Sequence, residues 1–251
     1  MLTEQRKRLI LQRLSENGQV IAKALSAELS LSEDTIRRDL RELAHEGLLQ
    51  RVHGGALPAS PAVADFAGRE TLASDEKRAI GRAAAAMIQP GQVAILDGGT
   101  TTRELARRIP QTLHATIVTH SPTIAVTLVS HPGVEVVLIG GRLFKHSVVC
   151  TGAAAIEAIG RIRADFYFMG ITGIHAELGL STGDFEEAHV KRALIKAAAE
   201  TIVLVSPEKL NAASAYVIAG LEEIHGMVVP SQTADKAIAP YKRRGVTIIK
   251  A

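Results

Sequence analysis

The chain has 251 residues with 47% apolar but only 3% aromatic side chains, so the cores of its domains must be built mainly from Ala, Leu, Ile and Val. Its formal charge of +3 is small, so any affinity for nucleic acid must come from local arrangement and not from bulk charge. The single cysteine, Cys150, excludes an intrachain disulfide, and the lack of a long apolar run or a signal-peptide core predicts a cytoplasmic protein.

Three short helices are predicted at the N-terminus, in residues 3–15, 21–29 and 31–43, because apolar side chains recur there at helical spacing. The third helix follows a break at which Ser32 can serve as the N-cap, its hydroxyl accepting from amides of the first turn. We place a helix-turn-helix motif at about residues 20–39.

The third helix has two different faces. At about 100° per residue its apolar side chains fall on one side and its arginines on the opposite side. The two sets are Ile36, Leu40 and Leu43, and Arg37, Arg38 and Arg41. The apolar face packs, and the other face is free to meet phosphate or base edges. The alternative is that these arginines form surface ion pairs with Asp34, Asp39 and Glu42.

A strand-like run over residues 48–53 ends in Gly54 and Gly55, and glycine permits the positive φ of a tight turn. A strand and turn in this place predict the wing of a winged helix-turn-helix. In such a module the second helix of the pair enters the major groove, where the arginine fork can pair with guanine. The candidate DNA-binding residues are Ser32, Thr35, Arg37, Arg38, Arg41, Arg51 and His53.

Two motifs here resemble the DNA-binding domain of the DeoR family of bacterial transcriptional regulators. They are Ser32-Glu-Asp-Thr-Ile-Arg-Arg-Asp-Leu-Arg-Glu-Leu43 and Glu46-Gly-Leu-Leu-Gln-Arg-Val-His-Gly-Gly-Ala56. The likeness is nearly without gaps over residues 3–58. It implies that this domain binds double-stranded operator DNA.

The composition changes after the wing. The run of residues 57–65 has two prolines and no periodicity, and we predict a linker over residues 59–74. Short apolar strands then alternate with helices from residue 75 to 251. This alternation predicts a larger, mostly parallel α/β domain. The predicted strands are 93–97, 116–119, 134–139, 166–171, 202–205, 227–229 and 246–249, and the predicted helices are 76–88, 102–108, 122–130, 153–159, 185–199 and 235–243.

Ligands of an open α/β sheet collect at the carboxyl ends of its strands. The run Asp97-Gly-Gly-Thr-Thr-Thr102 follows the first strand of this domain and offers backbone amides and hydroxyls to an anion, although a plain turn is equally common there. The first-turn acids Asp184 and Glu187 could equally complement a helix dipole. The candidate effector-binding residues are Asp97, Gly98, Gly99, Thr100, Thr101, Thr102, His120, Ser121, Gly141, Asp184, Glu187 and Lys209.

The second region is also similar to the DeoR family, through Leu96-Asp-Gly-Gly-Thr-Thr-Thr102, Leu138-Ile-Gly-Gly-Arg-Leu143 and Asp184-Phe-Glu-Glu-Ala188. The resemblance implies a fold like that of ribose-5-phosphate isomerase, a phosphorylated sugar or related metabolite as effector, and a homo-oligomer. We therefore expect a repressor of a carbohydrate operon that its effector releases, with no metal, no cofactor and no enzymatic activity. The alternative is a sugar-phosphate isomerase or transferase with an appended helical domain, although the shared fold alone does not imply activity.

Overall fold

The computed structural model describes residues 1–60 and 64–251, so residues 61–63 of the predicted linker lie outside the described residues. The N-terminal region contains the three predicted helices followed by a two-stranded wing. A short strand before the second helix, which the sequence pattern did not indicate, joins the wing to form the sheet order β1-β3-β2. The elements are α1 Thr3–Asn17, β1 Val20–Ile21, α2 Ala22–Leu29, α3 Glu33–His45, β2 Leu49–Val52 and β3 Gly55–Pro58.

Helix α3 forms as its sequence predicts. The Ser32 hydroxyl accepts from the Thr35 amide at 3.2 Å, which satisfies one of the free donors of the first turn. The apolar face of α3 is fully buried against Ile10 and Leu14 of α1 and Leu25 of α2. The arginine face is consequently turned away from the core.

The two glycines of the wing serve different purposes. Gly54 has a φ of +77°, as the predicted turn requires. Gly55 already belongs to β3, and a Cβ atom there would lie 1.9 Å from the backbone oxygen of Val20. The turn therefore needs one glycine for its backbone conformation and the other for the close approach of β1.

A buried ion pair joins α1 to α3. The Arg6 guanidinium makes two hydrogen bonds to the Asp39 carboxylate, one of them 2.9 Å from Nη2 to Oδ1, and both side chains are almost inaccessible to solvent. The hydrogen bonds that Arg6 donates to Asp39 raise the pKa of Arg6. The suggestion that Asp39 pairs with surface arginines of its own helix is wrong, because its carboxylate points into the core.

The larger region is an α/β sandwich of three layers. Its seven-stranded sheet has the order β15-β14-β12-β9-β4-β5-β6, and every pair of neighbours is parallel, as predicted. The strands are β4 Val93–Leu96, β5 Ala115–Thr119, β6 Val134–Leu138, β7 Arg142–Phe144, β8 Val149–Thr151, β9 Ala164–Met169, β10 Gly173–His175, β11 Gly179–Thr182, β12 Ala198–Leu204, β13 Tyr216–Ala219, β14 Gly226–Val229 and β15 Thr247–Lys250.

Helices cover both faces of this sheet. One buried cluster joins it to α5, α6 and α7 through Ile80, Leu105 and Ile124. A second cluster joins the other face to α8, α9 and α10. The helices are α4 Phe66–Glu70, α5 Ser74–Ala85, α6 Thr100–Ala106, α7 Pro122–Leu128, α8 Ala153–Ile159, α9 Phe185–Ala197 and α10 Asp235–Lys242. Cys150 is buried, as a small apolar side chain would be.

Several short elements are absent from the sequence-based prediction. Strands β7 and β8 form a hairpin, and β10, β11 and β13 form a small antiparallel sheet. Strands of three or four residues without alternating polarity give no periodic signal. Part of the predicted linker is helical, because α4 begins at the N-cap Asp65, whose carboxylate accepts from the Gly68 amide at 2.8 Å.

The segment between the wing and α5 is attached to the α/β domain. Ala59 forms a parallel bridge with Ala213, and the Ser60 hydroxyl donates to the backbone oxygen of Thr172. Beyond the undescribed residues, the Phe66 amide donates to the backbone oxygen of His146 at 2.9 Å. The chain therefore runs along the α/β domain as it leaves the wing. No helix in the described part of the chain is long and apolar enough to cross a membrane.

Candidate DNA-recognition surface and effector cavity

The arginine face of α3 and the wing form one basic surface. Arg37 and Arg51 both line a recess that continues to His53 and Gly54 at the wing tip. A neighbouring recess is lined by Asp34, Thr35, Arg37, Arg38, Arg41 and Arg51. All the predicted DNA-binding residues except Ser32, which caps α3, thus border one continuous surface.

The ion-pair alternative holds for one arginine of this surface. Arg37 Nη2 lies 2.7 Å from Glu33 Oε1, one turn earlier on α3, and both side chains are partly exposed. Within the described residues, Arg38 and Arg41 have no hydrogen bond or ion pair, and both are exposed. These two guanidinium groups are therefore available to an external partner.

A polar cavity lies at the carboxyl ends of the central strands of the large sheet. Its wall contains the predicted loop 98–102 together with Glu187 and Lys209. It also contains Arg69 from α4 and Lys77 from α5, which sequence reasoning did not assign to the site, and Lys191 from α9. Further polar groups of the wall are Ser147, Thr172, Thr182 and Glu208.

Lys209 is a buried cation with almost no acceptor. Within the described residues its Nζ atom has one hydrogen bond, a long one of 3.4 Å to the Thr101 hydroxyl. Burial, together with the neighbouring cations Lys77 and Arg69, lowers the pKa of Lys209 to about 8 against the opposing effect of Glu208. Such an amine lacks an anionic partner of its own.

Arg69 and Lys77 strengthen the positive character of the cavity. Arg69 Nη2 is buried and, within the described residues, has no hydrogen-bond partner. Lys77 Nζ donates to the backbone oxygen of Arg69 at 2.7 Å and so holds this part of α4 at the cavity. Burial lowers the pKa of both side chains. The lining therefore has donors that no protein acceptor fully satisfies.

Asp97 lies beneath the cavity and not on its wall, which corrects the expectation that it contacts an effector. Its Oδ2 atom accepts from Lys191 Nζ, from the Tyr167 hydroxyl at 3.0 Å and from the Gly170 amide at 2.9 Å. Its Oδ1 atom accepts from the Gly98 amide and from His120 Nε2, both at 2.8 Å. The carboxylate has no capacity left for a ligand.

The charges around Asp97 stabilise one another. Burial disfavours its ionised form, but Lys191 and His120 outweigh this and hold the pKa of Asp97 well below its usual range. Asp97 and Glu187 in turn raise the pKa of Lys191 against its own burial. Burial and the adjacent Asp97 raise the pKa of Tyr167 far above its ordinary value. The cluster is a buried ion pair with hydrogen bonds to all of its members.

His120, Ser121 and Gly141 also lie away from the cavity wall, so their predicted effector contacts are corrected. His120 is fully buried, with Nδ1 2.9 Å from the Cys150 backbone oxygen and Nε2 2.8 Å from Asp97 Oδ1, so both ring nitrogens face oxygen atoms of the protein. The Ser121 hydroxyl donates to the backbone oxygen of Val148 at 3.1 Å. Gly141 allows close packing, because a Cβ atom there would lie 2.7 Å from the Thr151 oxygen.

A second cavity of about 90 Å³ adjoins the first one and shares Arg69, Ser147, Thr172 and Glu187 with it. Asp184 lines this second cavity, where its carboxylate also caps α9 by accepting from the Glu187 amide at 2.8 Å. Both readings of Asp184, as a cap and as a cavity residue, therefore agree with its position. Within the described residues, no group of His, Cys, Asp and Glu side chains could hold a metal ion.

Comparison with known proteins agrees with both halves of this architecture. Residues 6–61 match the DeoR-like helix-turn-helix domain, and residues 72–231, more than half of the chain, match the DeoR C-terminal sensor domain. The chain belongs to the DeoR family of transcriptional regulators. This membership confirms the family predicted from the two sets of sequence motifs.

Full-length relatives support the same assignment. The regulator GlpR of Haloferax volcanii is 34% identical over 99% of this chain and 98% of its own length. The repressor GlcR of Bacillus subtilis is 33% identical over 99% and 96%, and the glycerol-3-phosphate regulon repressor of Escherichia coli is 33% identical over 84% of each chain. These relatives are transcriptional regulators, which confirms the prediction of a regulator and not an enzyme.

Among solved structures, ribose 5-phosphate isomerase A of Methanocaldococcus jannaschii matches 54% of this chain and 53% of its own, with 16% identity and a TM-score of 0.40. The predicted fold class, a winged helix-turn-helix followed by a parallel α/β domain, is confirmed by the strand order itself.

Replacing Asp97 by Asn should destabilise the folded protein by about 3–5 kcal/mol, because Lys191 would lose its buried counter-charge. Denaturant unfolding followed by circular dichroism measures this change, with the exposed Glu177→Gln as control. The stabilisation from Asp97 should be complete above the ordinary carboxyl pKa and be lost as the pH falls toward its lowered folded value. An unfolding free energy within about 1 kcal/mol of the parent would contradict the structural role of Asp97.

Proposed function

We propose that this protein is a repressor that holds operator DNA with α3 and the wing and releases it when a phosphorylated sugar or polyol binds the cavity around Lys209. The observation that carries this proposal is the buried Lys209 amine, which has only a distant hydroxyl as acceptor. A phosphate monoester supplies up to two negative charges and several acceptor oxygens in a small volume. Because its partner is operator DNA, the protein would act in the cytoplasm.

The charges of the cavity wall support a phosphorylated ligand. Four cationic side chains, Arg69, Lys77, Lys191 and Lys209, face two carboxylates, Glu187 and Glu208, so the lining has two positive charges in excess. Lys191 is already paired with Asp97, which leaves the other three cations for the ligand. The hydroxyls and amides of the loop 98–102 add further donors beside Lys209.

The carboxylates suit the remainder of such a ligand. Glu208 Oε2 is buried without a partner in the described residues, and Asp184 and Glu187 border the adjoining cavity. Carboxylates accept hydrogen bonds from the hydroxyls of a sugar or polyol but repel phosphate. The phosphate would therefore contact Lys209 and Arg69, and the hydroxyls would extend toward Asp184. The name of the E. coli relative, a glycerol-3-phosphate regulon repressor, agrees with this class of ligand.

DNA binding by the winged helix-turn-helix domain, the head of the protein, depends on the arginines that have no partner within the described residues. Arg38 and Arg41 project from α3 beside Thr35, and Arg51 and His53 extend the surface to the wing. A major groove admits one helix, and an arginine fork that lies in it can pair with guanine O6 and N7. Phosphate contacts from the same surface would fix position without reading sequence. We assign Arg38 as a reader of bases.

Arg38→Ala should weaken operator preference by about 1–3 kcal/mol, because a bidentate base contact is lost while the apolar face of α3 is untouched. Fluorescence anisotropy at one fixed salt concentration should compare an operator obtained by in vitro selection with a scrambled duplex. Arg8→Ala, which removes an exposed arginine of α1, is the matched control. If both variants keep the parent's ratio of operator to scrambled affinity, Arg38 does not read bases.

Lys209→Met should lower the affinity for phosphorylated ligands by at least about tenfold, since a charge-assisted contact is worth about 1.5–3 kcal/mol. Calorimetry should test glycerol 3-phosphate and hexose 6-phosphates beside the same compounds without phosphate. Because burial lowers the pKa of Lys209 to about 8, affinity in the parent should also fall as the pH rises above that value. Lys236→Met on exposed α10 is the control.

The same variant should stabilise the ligand-free protein. A lysine whose folded pKa is below its unfolded one opposes folding at neutral pH, and stability recovers as the pH rises from about 8 toward 10.5. A thermal shift at neutral pH should therefore give a higher Tm for Lys209→Met. Unchanged ligand affinity together with a lowered Tm would show that Lys209 has a structural and not a ligand-binding role.

A further inference from the structure

One edge of the seven-stranded sheet is apolar and uncovered. Edge strand β6 exposes Val137 (39%) and Leu138 (50%), and the preceding helix α7 exposes Val126 (71%) and Val129 (82%). Helix α7 contacts α6 on one side and packs on β5 and β6, so it is the outermost helix of its layer. Its valines thus continue the apolar surface of the strand edge.

The sequence of this edge is almost free of charge. Between Arg108 and Arg142 the only Asp, Glu, Lys or Arg is Glu135. At the chain's overall 22% charged residues, about seven would be expected in a stretch of this length. A surface helix and edge strand without charges are typical of a surface that is buried in an assembly.

The opposite edge of the same sheet is different. Strand β15 carries Lys250, which pairs with Asp235 of α10 at 2.9 Å. Lys242 and Arg243 follow on or just after that helix. Charged side chains on an edge strand prevent its pairing with other strands. Such protection is stronger at β15 than at β6, where Glu135 is the single charged residue.

The backbone of β6 offers a row of free groups. At the two ends of its ladder with β5, the Ala115 amide donates to the Gly133 oxygen and the Ile139 amide donates to the Thr119 oxygen. Because a parallel ladder uses alternate residues, Glu135 directs its backbone groups toward β5. Val134, Val136 and Leu138 direct theirs outward, where no described residue accepts or donates.

We infer that this edge binds a second copy of the chain, with the two β6 strands antiparallel across a twofold axis at Val136. In that register Val136 pairs with Val136 of the partner subunit. Val134 pairs with Leu138 of the partner subunit, and Leu138 pairs with Val134 of the partner subunit. Each pair exchanges two hydrogen bonds, so the ladder has about six and every outward group of β6 is satisfied.

Charge supports this occupant and register. Glu135 would lie opposite Val137 of the partner subunit and not opposite another glutamate, so the only charge of the edge meets no like charge. A twofold axis places the same patch of both subunits together. An edge that is almost free of charge is therefore matched by a second edge that is equally free of charge. The two copies of α7 would then flank the axis and cover the exposed valines. A dimer also supplies two winged heads, which a pseudo-palindromic operator needs.

Sedimentation velocity of the full chain tests the inference, with Leu138→Lys and Val129→Lys as the disrupting variants. Val217→Lys is the control, because Val217 is 56% exposed on β13, away from β6. We expect dimers for the parent and the control and monomers for both disrupting variants at the same micromolar concentration. Circular dichroism should show that all four chains are folded. Should Leu138→Lys misfold, Val129→Lys still tests the inference, because Val129 is 82% exposed.

A monomeric parent, disrupting variants that stay dimeric, or a control that dissociates as they do would each overturn the inference. The register has its own test. Val136→Cys should form a disulfide-linked dimer on mild oxidation, because facing Cα atoms of such a pair are about 5.5 Å apart. Val134→Cys should not, since its two copies would lie four residues apart along the strands. Cross-linking of the Val134→Cys chain alone would contradict the proposed pairing.

Discussion

The buried carboxylate of Asp97 is the interaction on which the effector domain depends. It lies at the end of β4 and binds Lys191 of α9, His120 after β5, and Tyr167 and Gly170 in and after β9. Breaking the pair of Lys191 and Asp97 would leave a buried cation without a counter-charge, which costs more than a surface contact can return. One side chain thereby fixes the relative positions of three strand ends and a helix.

This constraint explains the division of charges in the cavity above it. Lys191 is neutralised by Asp97 and is part of the scaffold, whereas Lys209 has only the distant Thr101 hydroxyl and Arg69 has an unsatisfied nitrogen. A rigid wall with unsatisfied donors is what an anionic ligand requires. Arg69 belongs to the segment that leaves the DNA-binding head, and the Ser60 hydroxyl binds the Thr172 oxygen of the same wall. The segment that follows the head thus contacts the cavity wall through Ser60 and contributes Arg69 to it.

The sequence predicted the elements better than the orientation of individual side chains. Helix α3, its Ser32 cap and the parallel strands follow from periodicity, because their burial patterns are regular. The rule that ligands collect at strand ends located the loop 98–102 but could not show that Asp97 and His120 point inward. Arg69 gave no signal, since an isolated cation in a non-periodic segment looks like a surface residue, and Lys77 lies in the predicted helix 76–88, where charged side chains are expected on the solvated face. Charge depletion around β6 was visible in the sequence, but only the strand order shows that it lies at an edge.

Coupling between the two sites is the central claim, and calorimetry of the best phosphorylated ligand with and without saturating operator duplex measures it directly. If ligand binding weakens DNA binding, DNA must weaken ligand binding by the same factor. We expect the ligand Kd to rise by about 5- to 150-fold when operator is bound, the usual range of such couplings. A ligand Kd that is the same with and without operator would contradict the account of a repressor released by its effector.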